Sequence, residues 1–189
     1  MSFEDIKKSI LAPLLIACGV AVSLAVKEPL SAFLFAFGLI TVCILEANLF
    51  TGKVGYYWRD KKLKLLEILF LNLVFGWLFG FLLSLTSSNL VIEAAQIKVS
   101  SWTFDFSFLI KSILCGVIMY LAVELYRRNN YLGILFGIPL FILSGFQHCI
   151  ANIIVMGVAR TFSPTIILCI IGNSAGSILT NLLTTHNKK

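Results

Sequence analysis

Two stretches of the chain carry most of the side chains able to handle a polar solute: Asn48-Leu49-Phe50-Thr51-Gly52-Lys53 and Ser144-Gly145-Phe146-Gln147-His148-Cys149-Ile150-Ala151-Asn152. His148 is one of two histidines in the sequence, and an imidazole with an unperturbed pKa of about 6.5 can donate, accept or relay a proton near neutral pH. Asn152 follows at the i, i+4 spacing that places two side chains on one helix face. Thr51 brings a hydroxyl that both donates and accepts, and Gly52 lets the backbone beside it leave regular geometry. These residue types suit hydrogen bonding and proton exchange with a small solute. A plainer reading stays open for each stretch: a helix end with Gly52 as its cap, and a core histidine bonded to a backbone carbonyl.

Other chemistries lack their groups. The sequence contains no GxxxxGK[ST], GxGxxG or HExxH motif, so neither a cofactor nor a metal is expected. Cys149 beside His148 is the one candidate nucleophile and base, but neighbours on a helix point about 100° apart. An enzyme is therefore not expected. Cys18, Cys43, Cys115, Cys149 and Cys169 lie singly in apolar runs, as buried small hydrophobes do.

The elements that must hold the two stretches follow from composition. Of 189 residues, 59% are hydrophobic, and the mean hydropathy is +0.96, against roughly 45–50% apolar content in a soluble domain. The expected solvent is a lipid bilayer. A helix crossing a core about 30 Å thick needs about 20 apolar residues. The uncharged runs then predict one transmembrane domain over 1–189 with six spans: 10–26, 29–58 broken near 49–52, 65–85, 106–125, 131–159 broken near 145–149, and 164–185. Irregular backbone at membrane depth survives only where it is buried in protein or lines a cavity. Interruptions at matching places in the second and fifth spans therefore point to a midplane transport site. The predicted fold class is an all-α membrane protein with two three-helix repeats, inverted because each half crosses an odd number of times.

The net charge of +6 reads as a topology signal and not as a nucleic-acid surface, because Lys and Arg cluster at segment ends. Lys7, Lys8, Arg59, Lys61, Lys62, Lys64, Arg127, Arg128, Lys188 and Lys189 share one side of a six-span bundle, and Lys27, Lys98 and Arg160 face the other. The positive-inside rule then places both termini in the cytoplasm and the chain in the cell's cytoplasmic, or inner, membrane. The N-terminal MSFEDIKKS lacks a cleavage pattern after it and is read as retained. Glu67, Lys111 and Glu124 lie near span ends, where snorkelling or pairing satisfies them. Three GxxxG spacings, Gly76 to Gly80, Gly133 to Gly137 and Gly172 to Gly176, offer surfaces on which helix backbones approach closely.

The interrupted stretches also resemble the two signature regions of the formate/nitrite transporter family, the first its ELFTGN-type loop and the second its GFEHSxANM-type stretch. Phe35-Ala36-Phe37-Gly38-Leu39 is similar to the family's FSxGL run, and Ala95 to Val99 to its lysine-containing entry to span four. Ser112-Ile113-Leu114-Cys115 resembles GILCN, and Ile171-Gly172-Asn173 the span-six LGN. The matches keep their order from span two to span six. Departures are Asn48 and Gln147, where the family usually has acidic residues, and Gly116, where it has asparagine.

The resemblance implies an aquaporin-like protomer in a homopentamer, each protomer with its own pore, and the GxxxG seams would then serve contacts between protomers. It implies a periplasmic slit of Phe35 and Phe141 and a cytoplasmic slit of Leu39, Leu49 and Phe50. Thr51, His148 and Asn152 would stand at the pore centre, Asn173 would be the polar group of span six, and Lys98 would attract the anion. The expected function is a channel for small monovalent weak-acid anions such as formate, nitrite or hydrosulfide. Because a bare anion pays far more than its neutral acid to leave water, passage is expected to be proton-coupled. A channel for ammonia or water would use similar half-helices and a central histidine, and a poreless accessory subunit is the third alternative.

Overall fold

The structure, a computed structural model, describes residues 1–26, 29–57 and 64–184, and among these the only regular elements are helices. The topology cations Lys27, Arg59, Lys61, Lys62, Lys188 and Lys189, and the expected span ends at 58 and 185, lie outside the described residues. Among the described residues four helices are long and apolar enough to cross a bilayer: α1 (Phe3–Ala25), α4 (Leu65–Thr86), α6 (Phe106–Arg127) and α9 (Thr165–Thr184). α1 starts well before the apolar run at Ile10, because Ser2 and Asp5 form a capping box. The Asp5 N–H donates to Ser2 Oγ at 3.1 Å, and the Ser2 N–H to the Asp5 carboxylate at 3.0 Å. A cap of this kind sets a helix start that hydropathy alone misses.

The two remaining apolar segments are broken. α2 (Leu30–Ile44) is followed by a short turn of helix, α3 (Phe50–Lys53), which runs into a 3₁₀ turn at Val54–Tyr56; α7 (Leu132–Leu143) is followed by α8 (Cys149–Val158). One helix lies outside the six-span reading: α5 (Asn89–Ser100) precedes α6, carries Lys98 and buries Ala95 and Val99 against the bundle.

The two breaks are built alike. In the first, the chain turns through Glu46 at φ +51°, with Glu46 N donating to Cys43 O at 3.2 Å and Ala47 N to Val42 O at 2.9 Å. In the second it turns through Gly145 at φ +67°, with Gly145 N donating to Ile142 O and Phe146 N to Phe141 O, both at 3.0 Å. Both are left-handed helix ends of the Schellman type, in which two otherwise orphaned carbonyls find donors. The linkers then attach to α1 and α6 respectively: Asn48 N donates to Lys8 O at 2.9 Å, and Gln147 N to Lys111 O at 3.4 Å. A buried asparagine closes each break. Asn72 Oδ1 accepts from Phe50 N at 2.8 Å while its amide donates to Ser9 O at 2.7 Å and Asn48 O at 3.0 Å. Asn173 Oδ1 accepts from Cys149 N at 2.9 Å while its amide donates to Ser112 O and Gln147 O, both at 2.8 Å.

Packing around these breaks depends on close backbone approach. A Cβ at Gly80 would run into the Ile154 carbonyl on α8, one at Gly176 into the Ile113 carbonyl on α6, and one at Gly172 into Ser112. Gly133 and Gly137 face Leu125 and Ala122 of α6. All three GxxxG seams are therefore spent inside one chain, which corrects the expectation that they join protomers. In lipid, where burial of apolar surface gives little drive, small residues are the means of packing an internal helix pair as well as an external one. The span-end charges are paired as expected for Glu67, 3.0 Å from the N-terminal amine, and for Glu124, 2.9 Å from both the Tyr56 hydroxyl and Arg128.

Gly116 belongs to the same α6–α9 contact, since a Cβ there would collide with the backbone of Asn173, and Ser177 Oγ donates to the Gly116 carbonyl at 2.9 Å. Gly116→Asn, which installs the residue that the sequence motif suggests, is expected to cost about 1–3 kcal/mol through overpacking. A fall in the thermal unfolding midpoint of the detergent-solubilised protein is the check; an unchanged midpoint would mean that the helices part freely.

Candidate functional site

The N-terminal ends of α3 and α8 meet at the middle of the molecule, where Thr51 Oγ1 lies 2.9 Å from His148 Nε2. Both side chains are buried. His148 is the N-cap of α8: its backbone is extended and its Nδ1 accepts the Ala151 N–H at 3.1 Å. An acceptor at Nδ1 assigns the ring proton to Nε2, so the neutral imidazole donates to the Thr51 oxygen. Among the described residues the Thr51 hydroxyl has no second hydrogen-bond partner.

On one side of this pair the Phe35 and Phe141 rings meet edge to face at 6.0 Å, and Phe141 lies 5.9 Å from the His148 ring. The two rings themselves line a small vestibule of about 60 Å³, together with Ser23, Lys98, Gln147, His148 and Asn152. On the other side a wider vestibule of about 400 Å³ is lined by Leu39 and Leu49 together with Lys8, Glu46, Lys53 and Arg127. Lys8 is 3.5 Å from Glu46, and the Arg127 guanidinium lies 3.8 Å over the Tyr56 ring. Phe50 is buried at the start of α3, held by the Asn72 bond to its N–H, and is not in the lining of that vestibule.

The structure thus brings Thr51, His148, Phe35 and Phe141 together and sets Lys98 on α5 at the small vestibule. Asn152 borders that vestibule beside His148, but its amide donates to Gln147 Oε1 at 2.9 Å and lies 3.7 Å from Cys169 Sγ. Asn173 is wholly engaged in holding the α8 N-terminus and presents nothing to a solute. Asn72 does the same for α3, and no motif in the sequence singles it out. The signal available is a lone asparagine in an otherwise apolar span, where an unsatisfied amide is costly. Among the described residues no three His, Cys, Asp or Glu side chains gather as a metal site.

Comparison with known proteins points one way. An uncharacterized transporter of Bacillus subtilis (strain 168), YrhG, is 31% identical over 78% of this chain, and the match spans 66% of that protein's length. A solved structure described as an FNT family ion channel superposes with a TM-score of 0.77 at 18% identity, covering 95% of this chain and 86% of the other. A pentameric formate channel with formate bound superposes with a TM-score of 0.66 at 17% identity, covering 97% and 95%. These two establish the fold. The description of the formate/nitrite transporter family matches residues 4–186. With four long apolar helices, two broken ones and that match over nearly its whole length, the chain is a multi-pass membrane protein that belongs to the formate/nitrite transporter family.

Proposed function

We propose that the protein conducts small monovalent weak-acid anions, of the class of formate, nitrite or hydrosulfide, in a proton-linked manner and as the neutral acid. The observation that carries this reading is the Thr51–His148 pair at 2.9 Å, buried between an aromatic closure and an apolar one. A bare anion entering that space loses its water at a cost of many kcal/mol, whereas its protonated form loses far less. Lys98 raises the anion's concentration at the small vestibule. The low dielectric ahead favours its protonation, and the Thr51 hydroxyl, whose oxygen accepts from the Nε2–H of His148, then offers the neutral acid a hydrogen bond at the midpoint.

The architecture that goes with this reading is a single channel domain of six crossings: α1, α2 with α3, α4, α6, α7 with α8, and α9. They form two inverted halves in an aquaporin-like protomer. Its support is the bond-for-bond agreement of the two breaks, in which Asn48 and Gln147, Asn72 and Asn173, and the carbonyls of Lys8 and Lys111 play matching parts. A homopentamer in the cytoplasmic membrane with both termini in the cytoplasm completes the proposal. One of the structural neighbours is itself pentameric, and Lys7, Lys8, Lys64, Arg127 and Arg128 lie at the helix ends assigned to the inner side.

The test is flux into vesicles reconstituted with the purified protein, comparing formate, nitrite and hydrosulfide under an imposed pH gradient. Uptake should rise when protons are driven in the same direction. Indifference to the gradient across all three anions would remove the proton-linked mechanism. In the same assay Lys98→Ala should lower anion uptake at neutral pH about tenfold, the lower end of electrostatic steering by a charged cleft, and leave entry of an uncharged solute unchanged. Equal losses for both would make Lys98 a structural residue.

A further inference from the structure

A groove between α4, α8 and the start of α9 takes no part in the pathway above. It has a volume of about 620 Å³ and is lined by Leu73, Val74, Trp77, Ile153 and Ile166, with Arg160 at one end. Arg160 is the residue after the α8 C-cap Ala159 and has φ +54°. Its N–H donates to Gly157 O at 3.1 Å, and Thr161 N to Met156 O at 3.0 Å, the Schellman end at which glycine is usual and a larger residue is strained.

The guanidinium is held in place. Nε donates to Ser84 Oγ at 3.0 Å and Nη2 to Ser84 O at 3.2 Å, while Ser84 Oγ donates to Phe81 O at 2.6 Å. Among the described residues no carboxylate pairs with Arg160. These bonds leave the outer Nη1–Nη2 edge, the edge that takes two phosphate oxygens side by side.

Depth fits the same partner. Ser84 lies in the last turn of α4, at the end of an apolar 22-residue helix. From there to Leu73 is about 16 Å at 1.5 Å per residue, close to half of a hydrocarbon core about 30 Å thick. The groove is mostly apolar, with Arg160 and Thr161 as its polar lining, and the Ser84 anchor of the guanidinium stands about one leaflet from Leu73.

We propose that this groove binds one anionic phospholipid, with the phosphate on the Arg160 guanidinium and an acyl chain lying along α4 as far as Leu73. The test is retention of added lipid by the detergent-purified protein in native mass spectrometry. The probes are phosphatidylglycerol, phosphatidylcholine with the same chains, and glycerol phosphate. The parent should retain phosphatidylglycerol about fivefold over phosphatidylcholine, the ratio for one basic residue near the membrane surface, and should not retain glycerol phosphate.

Arg160→Gly removes the cation and relieves the left-handed backbone, so it should fold as well as the parent and lose the preference. Arg160→Lys should keep part of it, and Val74→Trp, which fills the groove, should lower retention of both lipids. Equal retention of the two lipids by the parent, or an Arg160→Gly protein that keeps the preference, would overturn the proposal. Retention of glycerol phosphate at the level of the lipid would make this an anion site without a lipid. A Val74→Trp protein with altered oligomer mass and unchanged lipid retention would make the groove a contact between copies of the chain.

Discussion

His148→Phe is expected to lower proton-linked anion flux by at least about a hundredfold, the scale of a positioned proton donor, in a protein that still assembles. The ring keeps its breadth but loses both nitrogens, and with them the 2.9 Å contact to Thr51 and the bond from the Ala151 N–H. Loss of the second removes a helix N-cap and is expected to cost about 1 kcal/mol, too little to unfold the chain. His148→Asn is the informative companion. Asparagine is among the best N-cap residues, so it keeps α8 capped and keeps a polar group at the centre while removing the titratable ring. Flux through the His148→Asn variant equal to the parent's, with the same pH profile, would reduce the histidine to a hydrogen-bonding post, with the proton supplied from bulk water. If both variants conduct like the parent, the central imidazole has no part in permeation.

The second large effect is expected at Asn72. Replacing it with Leu leaves the Phe50 N–H and the carbonyls of Ser9 and Asn48 without their buried partner. At about 1–3 kcal/mol for each stranded polar group, and with partial relaxation, the expected loss is about 3–5 kcal/mol. The structural result is specific: α3 loses its anchor to α4, so Thr51 no longer stands opposite His148. Flux should fall even at temperatures where the protein stays folded. Asn173→Leu should do the same to α8. The readouts are the thermal unfolding midpoint in detergent and vesicle flux measured well below it. Unchanged values for Asn72→Leu would show that the α3 turn holds itself in place.

Much of the fold is legible in the sequence because the bilayer makes hydropathy decisive. The apolar runs mark the four long helices and both broken segments, and the polar groups of Thr51 and His148 stand out because so few share their surroundings. What escapes a sequence reading is local geometry. The start of α1 depends on a Ser2–Asp5 cap, which carries no hydropathy signal. α5 is short, and only Ala95 and Val99 are buried on it, too few for a periodicity to declare itself. The GxxxG pairs look the same in sequence whether they face another protomer or another helix of the same chain, and only the placement of Ile113, Ser112 and Ile154 opposite them decides between these. A motif singles out Asn173, whereas its partner in role, Asn72, has none. The role of each follows from which backbone groups the break leaves unpaired, and that requires the fold.

The matching breaks separate frame from cargo. The bonds the two breaks share use backbone groups and the two asparagines, and the side chain at the cap adds one in the second break alone, where His148 Nδ1 accepts the Ala151 N–H. That cap position is occupied by Leu49 in the first break, with φ −88° and ψ 123°, and by His148 in the second, with φ −111° and ψ 117°. The frame therefore does not dictate which side of the centre bears the imidazole; the choice was made by a single side chain. Two breaks closed by the same bonds thus carry different groups at the same cap position, an apolar side chain in one and an imidazole in the other.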